Sequence, residues 1–201
     1  SMSGSKKDRI EAVKGKLATD PTQISWTSSL IASAASGELI EFNPLTLNTS
    51  LYRPFTKQWC VYDGNVIHRV GQMRSIYPNP TAENLVIGTS GGGEKVGFSA
   101  LLSKAVPSLH CMDIEGTQCF PFYLYEDATQ GTPDDLFSEP QEQGLKRRDA
   151  ITDAGLAHFQ SAYPGEQISK EDLFYYVYGI LHSPDYRERF ADNLSKELPR
   201  I

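Results

Sequence analysis

EDLFYYVYGILHSPDYRER, residues 171–189, decides how this chain folds. It predicts two short amphipathic helices hinged at Ser183-Pro184. Ser169 stands where an N-cap belongs, and Asp172 three residues on completes a capping box whose charge suits the helix N-terminus. Leu173, Tyr176, Val177, Ile180 and Leu181 fall at i, i+3, i+4, i+7 and i+8, which predicts one apolar stripe. Ser183 caps again, Pro184 fits a first helical position, and Tyr186, Phe190 and Leu194 repeat every fourth residue. Aromatic stripes of this kind fill cores, so they are assigned to packing and not to a ligand.

Upstream of this stretch, the pattern is already helical from Arg147, with a helix expected over 149–163. Residues 130–144 are polar, with Pro133 and Pro140, and read as a surface loop. From 38 to 125 the texture is different: β-branched and aromatic runs at 39–42, 59–62, 65–69, 84–89, 96–101 and 119–125 alternate with turn residues. Asp63-Gly64 between two such runs predicts a hairpin. Helices are expected over 6–18, ended by Asp20-Pro21, and over 26–35, stopped by Gly37. Strands first and helices after give an α+β class, a mixed or antiparallel sheet region followed by a C-terminal helical segment. The expected organisation is a vector remnant plus lead-in helix at 1–25, a β-rich recognition region at 26–145 and a helical segment at 146–201. Ser1-Met2-Ser3-Gly4-Ser5 resembles an expression-vector scar. Leu198-Pro199-Arg200-Ile201 reads as an extension just begun, so the last segment is expected to be truncated.

The chain has 201 residues, enough to bury a core without disulfides. Three cysteines, Cys60, Cys111 and Cys119, show no framework or metal spacing and point to reduced thiols in a cytoplasmic protein. No apolar run reaches the length of a membrane span. A formal net charge of −6 argues against a freestanding nucleic-acid binder. That average conceals an asymmetry. Residues 51–75 carry Arg53, Lys57, Arg69 and Arg74 against the single acid Asp63, a local net of +3. Residues 126–142 carry six acids and no base. One surface is therefore expected to be positive while a separate loop holds the acid.

Catalytic motifs fail residue by residue. The run from Gly88 to Lys95 looks like a phosphate-binding loop, but Glu94 follows Gly93, Lys95 comes one position late, and Val96 replaces the magnesium-binding hydroxyl. Asn43-Pro44-Leu45 and Asn79-Pro80-Thr81 lack the second proline and aromatic residue of an amino-methyltransferase loop. No GxSxG elbow is present, and His68, His110, His158 and His182 are scattered without partners. The fragment itself is expected to be non-catalytic, with no metal and no cofactor of its own.

Three blocks in order carry a resemblance. They are LYRPFTKQW (51–59) running into Val61-Tyr62-Asp63, then ENLVIGTS (83–90), then FPFYLY (120–125) with the helices over 172–189. Together they resemble the C-terminal target recognition, or specificity, domain of Type ISP single-chain restriction–modification enzymes, over about residues 26–201. The family has Ser-Arg where this chain has Ser90-Gly91, so an arginine near DNA is lost. The resemblance implies a reader of double-stranded DNA, attached to helicase and methyltransferase domains of the same polypeptide and acting in phage defence. S-adenosylmethionine, ATP and Mg are then expected in those other domains. Recognition needs cations on phosphates and paired donors and acceptors on base edges. Lys57, Arg69, Arg74 and Lys95 are the expected phosphate contacts; Gln72, Arg74 and Ser90 are the expected base readers. Tyr52, Phe55 and Trp59 are expected in core or interdomain packing, with Arg53 in a buried or interfacial pair. The alternative is a protein–protein docking module of a phage-defence helicase/methyltransferase complex, built on the acidic loop and the aromatic helices. A small-molecule enzyme is the weakest reading.

Overall fold

The computed structural model describes residues 5–18, 20, 26–67, 71–90, 97–112, 116–127 and 145–201. The chain divides into two compact units, one of Ser1–Asn48 with Cys60–Gly71 and one of Thr49–Trp59 with Gln72–Ile201. The acidic loop over 130–144, the glycine run at 91–93, and His68 lie outside the described residues.

In the first unit, α1 (Lys6–Lys14) and α2 (Ser28–Ser36) pack together around Val13 and Ala35. Ser5 and Asp8 form a capping box on α1. Gly37 ends α2 at φ 78°, a left-handed cap that glycine adopts without Cβ strain. Residues 39–42 are not a strand: Leu39 is 92% exposed and nothing pairs there among the described residues. Nor does Asp63-Gly64 make a hairpin. The amides of Val66 and Ile67 both donate to the Asp63 carbonyl, and its carboxylate accepts from the Asn65 amide, so the chain curls instead of pairing.

The second unit is built on an antiparallel sheet of order β4–β3–β6: β4 is Ala100–Ser103, β3 Val86–Ser90 and β6 Thr117–Pro121. Central β3 is buried at every position. Ile87 lies between Leu102 and Phe120, and Thr89 between Ala100 and Gln118. A second sheet runs β2–β1–β5: β1 Leu47–Arg53, β2 Thr56–Val61, and β5 only Val106–Pro107. β5 lies parallel to β1, with Ser50 opposite Val106 and Leu51 opposite Pro107. The run 119–125, expected as one strand, is two. The Phe122 amide donates to the Leu85 carbonyl, and its carbonyl accepts from the Ala150 amide. Beyond it β7 (Tyr123–Asp127) leaves β3 and pairs with β8 (Leu145–Asp149). Strand β8 replaces the start of the helix expected from Arg147. A polar run without an apolar stripe has no helical face to bury, and cross-strand pairing with β7 decides its state.

The helices follow as α4 (Asp153–Ala162), α5 (Lys170–His182), α6 (Pro184–Arg189) and α7 (Ala191–Leu194). The caps read from sequence are present: Ser169 and Asp172 form a capping box, and the Ser183 hydroxyl accepts from the Tyr186 amide with Pro184 next to it. The buried stripe of α5 is turned from the expected one. Phe174 is 4% exposed and joins Leu173 and Leu181, whereas Tyr176 is 44% exposed. Phe174 packs against Phe122 with ring centroids 5.1 Å apart and tilted by 56°, and joins Ile87, Ala100 and Leu181 in the core. Each such large side chain withdrawn from water contributes about 2 kcal/mol. The sheet is thus floored by α5, and its strand ends are left to carry whatever the domain presents.

Candidate nucleic-acid interface

Asn84 sets the geometry of one exposed corner. It is 5% exposed, and its Nδ2 donates to the carbonyls of Ile76 (2.8 Å) and Tyr123 (2.9 Å). Its Oδ1 accepts from the amides of Leu85 (2.9 Å) and Tyr123 (3.0 Å). Two carbonyls on one side and two amides on the other fix the orientation of the side-chain amide. The short helix α3 (Met73–Ile76) is thereby held at its C-terminal end, where it packs against β7. Arg74 stands on this helix and Gln72 at its N-cap position, both exposed, and the Gln72 side chain makes no capping hydrogen bond.

The other candidates fall elsewhere. Lys57 is exposed on β2. Ser90 closes β3 and is only 3% exposed; its hydroxyl accepts from the Ser99 amide at 3.0 Å while its own amide donates to the Ser99 carbonyl. Arg69 and Lys95 lie outside the described residues. Gln72 and Arg74 come together at one helix, and among the described residues no hydrogen bond or ion pair joins them to Lys57 or Ser90.

A basic strand was missed in the sequence. Lys146, Arg147 and Arg148 are consecutive and exposed on β8. The Arg147 guanidinium lies 4.3 Å over the Tyr123 ring, and Arg148 pairs with Glu126 across to β7. Lys170 at the start of α5 bridges Asp149 (3.0 Å) and Asp153 (2.6 Å). Its hydrogen bonds to Asp153 and then Asp149 raise its pKa, and the same Lys170 contact lowers that of Asp153. Arg147, Arg148, Asp149, Asp153 and Lys170 line an open cleft of about 580 Å³ with Tyr123 at its wall. The signal was the triplet of bases itself, obscured because residues 147 onward were read as helix.

Of the two roles expected for the YRPF rings, core and interdomain packing, exposure rules out the first. Phe55 is 92% exposed, Trp59 75% and Tyr52 45%, so none is core. Arg53 is exposed too; it donates to the His110 carbonyl and lies 4.8 Å over the Tyr52 ring. Aromatic composition marks a surface to be covered but does not distinguish a domain's own core from a contact made elsewhere.

The three thiols are free. Burial raises each above its ordinary value, Cys119 to about 11 with a smaller contribution from Cys111. Among the described residues no group of three or more His, Cys, Asp or Glu is placed to hold a metal, and no helix is long and apolar enough to cross a membrane.

A sheet floored by helices, with exposed cations and amides at strand ends and on a short helix, is a frame for contacting a charged partner. The model of the Type ISP C-terminal specificity domain matches residues 1–201, and the chain belongs to that family. Among solved structures, the chain is similar to one described as a cryo-EM DrdV–DNA complex, with TM-score 0.76 and 34% identity over 98% of this chain. It is similar to the ATP-dependent Type ISP restriction-modification enzyme LlaBIII bound to DNA, with TM-score 0.70 and 29% identity over 97%. It is also similar to a nuclease-deletion mutant of the Type ISP enzyme LlaGI in complex with a DNA substrate mimic, with TM-score 0.68 and 29% identity over 96%. The chain spans 18%, 12% and 13% of those three chains, respectively. No curated protein sequence matches it.

Proposed function

We propose that this domain recognises the DNA target sequence of a Type ISP restriction–modification enzyme, holding the duplex for adenine methylation and cleavage by other domains of the same polypeptide. The observation that carries this reading is the match to the specificity-domain family along the whole chain, supported by three similar structures that are DNA complexes. S-adenosylmethionine, ATP and Mg would be held in the methyltransferase and helicase portions, and the work would be done in the cytoplasm. Within this chain Lys57 and Arg74 are assigned to phosphates and Gln72 to a base edge, with Arg69 and Lys95 kept as phosphate contacts. Arg147 and Arg148 join them as exposed cations on β8. Ser90, tied to Ser99, holds the end of β3 in place. A net charge of −6 is tolerable for a reader whose neighbouring domains share the grip.

The test is to exchange this segment for the matching segment of a related Type ISP enzyme and map methylated adenines. The modified sequence is expected to move with the segment. Methylation that stays with the host sequence, in a folded and active chimera, would refute recognition and favour docking.

A further inference from the structure

The second sheet carries a surface that the candidate residues do not explain. At its hairpin, β1 and β2 are joined by Pro54-Phe55, and Phe55, Trp59 and Tyr52 project into solvent. Leu109, 68% exposed, follows β5 beside them. This end is fixed in place. The Ser50 hydroxyl donates to the Val106 carbonyl (2.9 Å), the Ser108 hydroxyl to the Tyr52 carbonyl (3.0 Å), and the Ser108 amide to the Leu51 carbonyl (3.0 Å). Arg53 is clamped between the Tyr52 ring and the His110 carbonyl. These bonds hold the β1 side of the hairpin, which reduces the ordering entropy that binding would cost.

The charge pattern names the occupant. Among the described residues 49–59 and 104–112 the ionised side chains are Arg53, Lys57 and Lys104, and none is acidic. Exposed rings interleaved with cations, with no acid between them, match a groove in which phosphates flank apolar base-edge groups such as thymine methyls. A two-stranded ribbon also has the width that the major groove admits. We infer that the β1–β2 hairpin enters the groove of the bound duplex, its rings against bases and thymine methyls and its cations on flanking phosphates. The inference rests on the DNA-recognition reading above and assigns the element that makes the approach.

The experiment uses the whole chain carrying Trp26→Phe, so that Trp59 is the sole tryptophan, and a short mixed-sequence DNA duplex as probe. Duplex at low salt is expected to quench Trp59 emission, and added salt to restore it. Phe55→Ser is expected to weaken binding roughly tenfold, and Lys57→Gln to reduce the salt slope by about one phosphate. Both replaced side chains are exposed, so an unchanged far-UV spectrum is expected in each variant. Duplex binding with Trp59 emission and Phe55→Ser affinity both unchanged overturns the hairpin assignment and leaves the recognition reading standing. Failure of the unsubstituted chain to bind duplex at low salt overturns the hairpin assignment, while the recognition reading is decided by the segment exchange described above.

Discussion

Replacing Asn84 by alanine tests the corner that presents Gln72 and Arg74. The side chain makes four hydrogen bonds from a 5% exposed position. The bond from the Leu85 amide is local, and the chain can partly replace it. The remaining three tie the Ile76 carbonyl and both backbone groups of Tyr123, and each contributes about 1 kcal/mol net. Asn84→Ala is therefore expected to lower unfolding free energy by about 3 kcal/mol, more where water cannot reach the orphaned groups. Urea unfolding followed by circular dichroism reads this directly, and a loss below about 1 kcal/mol would show that the clamp is not what holds α3. Asn84→Asp adds a pH test. The new carboxyl would be buried with one oxygen on the Leu85 and Tyr123 amides and the other facing two carbonyls; burial and the carbonyls are expected to outweigh the amides and raise its folded pKa above the unfolded value near 3.9. A group raised in the folded state stabilises below its unfolded pKa and loses that stability as pH rises through the folded value. The variant should come closest to the parent in acid and fall away toward neutrality; the opposite trend would refute the assigned orientation.

Ser169→Ala removes the α5 cap and should cost about 1 kcal/mol in the same assay. Because hydrogen bonds from the Ser169 hydroxyl and then its backbone hold the Asp172 pKa down, the cap is intact above the ordinary carboxylate value and lost as pH falls through the lowered one. The Thr89 hydroxyl is buried without a hydrogen-bond partner among the described residues, so Thr89→Val should raise the melting midpoint; a lower midpoint would reveal a partner. Phe174→Ala should destabilise by about 3–5 kcal/mol through the cavity left against Phe122 and Ile87, and a loss under 2 kcal/mol would mean the core closes around it. Cys119, raised to about 11, should resist alkylation near neutral pH in the folded chain and react once it unfolds.

What the sequence disclosed was local. The Ser169–Asp172 box, the Ser183-Pro184 restart and the Gly37 stop each depend on a few adjacent residues, and each is present. What it hid was decided at a distance. Strand β8 exists because β7 needs a partner, and the strand break at Phe122 is set by bonds to Leu85 and Ala150. The α5 stripe turned toward Phe174 because Phe122 waits there, a contact that no helical spacing contains. The site divides in the same way. Lys57, Gln72 and Arg74 are exposed, as polar residues usually are, but the interior hydroxyl of Ser90 and the solvent-facing rings of Phe55 and Trp59 ran against composition. Rings in a sequence report only that something apolar will meet them.

The brevity of β5 limits how this sheet can grow. β1 is closed on that side by two residues, and the second, Pro107, has no amide hydrogen to offer a further chain. A visiting backbone finds no donor at Pro107 on that side, and alongside β2 it meets the exposed cation Lys57. Each outer strand thus carries its own obstacle to accidental zippering, a missing donor on one and a positive charge on the other.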